Sequence, residues 1–167
     1  MGDWNGTIPS FAALGKVRAR DLQTLADALT GVSGPATDFS SSFTITASTT
    51  APTKGAGTVY TARYNRVGRW VDYFFEVTIG AGWSSGSGTY RFLLPITALT
   101  SPGIDVGTMR VFDAGTAYYV AALTIQDSTH VEAVLNGGTN VLGSAGPGTA
   151  WASTDVMRGQ IRYEAAS

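Results

Sequence analysis

Between residues 69 and 79 the chain alternates strictly. Val71, Tyr73, Phe75, Val77 and Ile79 fall on one side, and Trp70, Asp72, Phe74, Glu76 and Thr78 on the other. A period of two is the mark of a strand with one face in a core. The stretch Ala117–Gln126 repeats it, with Tyr119, Ala121, Leu123 and Ile125 opposite Tyr118, Val120, Ala122 and Thr124. Further strand-like runs are Phe43–Ser48, Thr58–Asn65, Thr89–Leu94, Thr108–Phe112, His130–Leu135 and Val156–Glu164, and glycine, proline, serine or asparagine punctuates nearly every gap. No helical period of useful length lies between them, which excludes βαβ units and a parallel sheet. The pattern predicts a mainly β fold, an antiparallel β-sandwich of jelly-roll type.

The start of the chain reads differently. Leu22, Leu25, Ala26 and Leu29 recur at i, i+3, i+4 and i+7 and the pattern closes at Gly31, which predicts one short amphipathic helix. A helix this short is marginal alone and must lay its leucine stripe on something else. Before it, Trp4, Ile8, Phe11 and Leu14 follow no period, the habit of an arm that docks. We therefore expect an anchoring arm and helix over 1–32 (Trp4, Ile8, Phe11, Leu14, Leu22, Leu25 and Leu29), a Ser/Gly/Pro/Thr hinge over 33–42, and a β domain over 43–167.

The outward faces of the strands are too apolar for a monomer in water. Trp70 and Phe74 stand beside two carboxylates, and Tyr118 and Val120 share a face with Ala122, so these four are expected at a subunit interface. The glycine-rich stretches Gly80–Gly88 and Gly137–Gly148 open no helix, as phosphate cradles require, and read as long flexible hairpin loops. Trp83, at the tip of the first, is a candidate ligand contact, or else a plug for the end of the sandwich or a subunit seam.

Composition narrows the chemistry. In 167 residues there is no cysteine, which excludes disulfides, thiolate zinc sites and a cysteine nucleophile. A formal charge of −1 removes the basic footprint of a nucleic-acid binder. No apolar run reaches a membrane span, and the opening Met1-Gly2-Asp3-Trp4 lacks the order of a signal peptide, so folding in a cytosol is expected. Gly82-Trp83-Ser84-Ser85-Gly86 fits G-x-S-x-G, with Asp113 or Asp127 and the single histidine, His130, following in hydrolase order. A nucleophile elbow must join a strand to a helix, however, and here the strand Thr89–Leu94 comes next, so no enzyme is expected. Carboxylates are scattered singly, and no metal site and no cofactor are expected.

Two terminal stretches carry a resemblance. Trp4, Ile8-Pro9, Phe11, Gly15, Val17, Ala19, Asp21-Leu22 and Leu25 resemble the start of many small structural proteins of tailed phages of actinobacteria. Trp151-Ala152-Ser153-Thr154-Asp155 followed by Arg158-Gly159, Ile161 and Tyr163-Glu164-Ala165 is similar to the closing strand of their C-terminal domains, while Gly68-Arg69-Trp70-Val71 and Leu93-Leu94-Pro95 resemble trimeric phage jelly rolls. The resemblance implies a virion surface protein made in the host cytoplasm and commonly trimeric. It would be either a capsid decoration protein bound to the major capsid protein, or a minor tail or fibre protein contacting tail proteins or a host surface glycan. The chain has neither a heptad shaft nor a G-x-y run between arm and head, which favours decoration.

Overall fold

The computed structural model describes residues 35–99, 101–135, 140–146 and 150–166. The expected arm and its helix, residues 1–32, lie outside them. Among the described residues there is no helix, and ten strands form one antiparallel sheet. These are β1 (Thr37–Asp38), β2 (Ile45–Ala47), β3 (Val59–Val67), β4 (Trp70–Thr78), β5 (Tyr90–Leu93), β6 (Asp105–Asp113), β7 (Ala117–Asp127), β8 (His130–Leu135), β9 (Asn140–Val141) and β10 (Val156–Glu164). The order across the sheet is β1-β3-β4-β10-β6-β7-β8-β5-β2, with β9 also on β8. Every strand-like run of the sequence is found as a strand. The two-residue strands β1 and β9 are too short to carry a period. Residues 35–42, read as hinge, supply β1, and Phe39 packs edge-on against Tyr64 and Tyr73.

The alternation predicts two packed sheets, whereas hydrogen bonding runs unbroken through a single curled one, a half-barrel. Alternation fixes which side of a strand is buried, and leaves open whether the sheet divides. β4 and β5 lie five strand positions apart. A flat sheet would separate them by about 24 Å, at about 4.8 Å per strand, yet the Phe75 and Phe92 rings stack 5.0 Å apart. Strand twist accumulated over so many strands brings the two halves face to face. Phe43, on the chain between the edge strands β1 and β2, also stacks on Phe75, at 5.2 Å. The Tyr73 hydroxyl donates to the Leu93 carbonyl and that of Tyr163 to the Ile96 carbonyl, tying the halves together.

The concave side is the core. It holds the predicted row Val71, Tyr73, Phe75, Val77 and Ile79, together with Met109, Val111, Ala121, Leu123, Ile125, Val131, Met157 and Ile161, all buried. Gly159, in the middle of β10, faces this core because a Cβ there would overlap the Phe75 ring. The Gly80–Gly88 stretch corrects another expectation, since it is no free hairpin. Thr50 bridges to Ser87 and Thr53 to Ser84, and Gly80 and Gly57 approach so closely that a Cβ on Gly80 would overlap the Gly57 carbonyl. Glycine in this chain permits close backbone crossing as much as turning.

Candidate functional site

With the core complete on the concave side, functional side chains are left to the convex face, which the strand register arranges in rows. One row runs Val59, Thr78, Val156, Phe112 and Tyr118 across β3, β4, β10, β6 and β7 and contains no charge. Val59 is 56% and Tyr118 67% exposed, and Val120, two residues from Tyr118 along β7 and opposite Arg110, is 56% exposed. Phe112 and Tyr118 stack at 4.7 Å. The next row is charged. Glu76 pairs with Arg158, which stands directly opposite Arg110, and Arg110 rests on the Tyr118 ring at 5.6 Å. Such a juxtaposition of like charges costs folding energy.

Beyond it lies a shallow open groove of about 500 Å³. Its cause is local. β6 pairs with β10 only as far as Gly107 opposite Ile161, a bulge at Asp105–Gly107 follows, and the flank of β10 is next bonded where the Leu99 N–H donates to the Glu164 carbonyl. In the gap Phe74 is half-buried beneath the Arg63 guanidinium, 5.1 Å from the ring. Arg162 lies over Trp70 at 5.5 Å and 3.6 Å from Asp72. Asn65, Thr108 and Gln160 also line the groove.

Of the four residues expected at an interface, Tyr118 and Val120 protrude together, Trp70 is half exposed at the other end of the face, and Phe74 lies lower, in the groove. Trp83 does not stand at a loop tip. It is half-buried and packed edge-on to Tyr90 at 6.4 Å. Burial pushes the Tyr90 hydroxyl, which donates to the Ser85 carbonyl at 2.9 Å, up to about 12. Trp83 is thus packed against the edge of the core. The anchoring candidates Trp4, Ile8, Phe11, Leu14, Leu22, Leu25 and Leu29 fall outside the described residues.

Ser84 faces Thr53 across a backbone bridge, and the strand β5 follows its loop. His130 is engaged locally, with its Nδ1 2.9 Å from Thr129 Oγ1 and 3.2 Å from Asp127 Oδ1. Partial burial works to raise the Asp127 carboxyl, but hydrogen bonds from the Thr129 hydroxyl and N–H and from His130 prevail and hold it below its ordinary value. These contacts fasten the β7–β8 turn. Among the described residues no group of three or more His, Asp or Glu could hold a metal ion, and no helix is long and apolar enough to cross a membrane.

The groove residues Arg63, Asn65, Gln160 and Arg162 escape a reading of the sequence because it treats each strand alone, and these four come from two strands, β3 and β10, far apart in the chain. The only available signal is the alternation itself, which puts Asn65 and Arg63, or Gln160 and Arg162, on one face. The chain matches no protein-family model, no curated protein and no solved structure.

Proposed function

We propose that the chain is a non-enzymatic virion structural protein, a capsid decoration protein in which residues 1–32 anchor to the shell and the β unit is a jelly-roll-like head that self-associates, as a trimer. The observation that carries this reading is the uncharged row Val59–Thr78–Val156–Phe112–Tyr118, with exposed Val120 two residues from Tyr118 along β7 and opposite Arg110 in the next row, on the outside of a sheet whose core is already filled. An apolar strip bordered by Glu76, Arg158 and Arg110 has the anatomy of a subunit contact, with a dry centre and a charged rim. Its aromatic and arginine members are of the residue types that dominate such contacts. The resemblance to actinobacterial phage structural proteins supports the virion setting. Contacts made only in the assembled particle stabilise it by mass action.

Sedimentation velocity of the purified chain, followed by co-sedimentation with capsids lacking it, tests both parts. A trimer that Tyr118→Glu with Val120→Glu converts to monomer, and that binds capsids through residues 1–32, is expected. A monomer that ignores capsids sinks the proposal. Label confined to tails in immunogold images of virions would replace decoration by a tail role.

A further inference from the structure

We propose that the convex groove between β3, β4 and β10 is a binding site for an oligosaccharide bearing a carboxylate, as in a uronic acid. This reading is independent of the decoration role and uses rows apart from the apolar strip. The argument begins with hydrogen-bonding capacity. Asn65, Thr108 and Gln160 all line the groove, and none of their side chains makes a hydrogen bond among the described residues. Two amides and a hydroxyl supply donors and acceptors side by side, which is what adjacent sugar hydroxyls require.

The second strand of the argument is the arrangement of flat surfaces. Trp70 and Phe74 are four residues apart on one face of β4, about 13 Å at about 3.3 Å per residue. Each is overlaid by a guanidinium, Arg162 and Arg63 respectively. The stacked guanidinium keeps its N–H edge for a ligand, and Trp70, half exposed beside the groove, holds Arg162 at its rim.

Charge selects the class of sugar. Arg162 has Asp72 nearby, but Arg63 meets no carboxylate among the described residues, its one recorded contact being the Phe74 ring. Its neighbour across β1, Asp38, is engaged by the hydroxyl and N–H of Ser40. A planar guanidinium held in place and unpaired is suited to a bidentate carboxylate. The polar lining argues against a second copy as the occupant, since interface centres are depleted of charge.

Affinity electrophoresis in native gels tests this, with polygalacturonate, alginate or hyaluronate in the gel, dextran as neutral control and polyglutamate as a carboxylate without sugar. Retardation by at least one uronate polymer, little by dextran or polyglutamate, and at least a tenfold weakening in Asn65→Ala with Gln160→Ala and in Arg63→Ala are expected. Thermal melting of these variants should match the parent, because the replaced side chains are solvent-facing. No retardation by any of the three uronates, equal retardation by polyglutamate, or undiminished binding by the folded variants overturns the proposal.

Discussion

Phe75 and Phe92 stack across the core at 5.0 Å, although β4 and β5 stand five positions apart in one continuous sheet. This contact makes the curl of the sheet part of the core itself. Phe75 is also covered by Phe43 and seated over the bare backbone of Gly159.

Removing the Phe75 ring should therefore do more than leave a cavity. Phe75→Ala is expected to cost about 3–5 kcal/mol, read as a lowered urea midpoint. Gly159→Val, which drives a side chain into the space the ring occupies, should destabilise the fold through the same contact. The two losses should fail to add in the double variant, because the sites touch.

The glycine crossing should be equally intolerant. Gly80→Ala sets a methyl against the Gly57 carbonyl and must push two chain segments apart. Gly68 has open space around it, so Gly68→Ala should suffer only from its positive φ of 60°. Comparing the two melting temperatures separates backbone crowding from backbone conformation, with the larger loss at Gly80.

Strand β10 is last in the chain but lies between β4 and β6. A chain ending at Asp155 would leave both neighbours with unpaired backbone and the core without Met157, Ile161 and Tyr163. Loss of the β-sheet circular dichroism signal is expected, along with binding of a hydrophobic dye. Retention of a cooperative melt would contradict the topology.

Thr154 has a φ of 82°, a left-handed conformation that a β-branched residue adopts at a cost. It is held there by its N–H donating to the Ile79 carbonyl, and by buried Asp155, whose carboxylate accepts from the N–H groups of Ala114 and Ala152. Thr154→Gly should raise stability by about 0.5–1 kcal/mol. Asp155→Ala, which strands two N–H groups, should lower it by more than Thr154→Gly raises it.

Alkaline pH should weaken the fold before it touches the backbone. Burial pushes Tyr60 and Tyr163 up to about 12, Tyr90 likewise, and Tyr73 further up. The fold thus favours the neutral phenols. Their contribution is complete below the unfolded value near 10 and is lost as pH rises from there toward 12. The urea midpoint should fall as pH rises from about 10 toward about 12, and in a variant with Tyr64, Tyr118 and Tyr119 changed to Phe, tyrosinate absorbance should appear together with unfolding. Early tyrosinate absorbance in that variant while it stays folded would contradict this burial.

The sequence by itself determined the strands and their buried sides. The row Val71, Tyr73, Phe75, Val77 and Ile79 is buried along its whole length, and β8 and β10 begin and end where their runs do. That information is local, because side chains alternate along a strand whatever it pairs with. The apolar outward residues Tyr118, Val120 and Trp70 were legible for the same reason. Only the tertiary structure decided which strands are neighbours, and with that the unbroken curl of the sheet, the uncharged row from Val59 to Tyr118, and the groove where β6 leaves β10. Pairing depends on contacts far apart in the chain, so no single strand records its neighbour. Trp83 shows the same limit, since its packing against Tyr90 depends on what its glycine-rich loop crosses, which the loop's own sequence does not record.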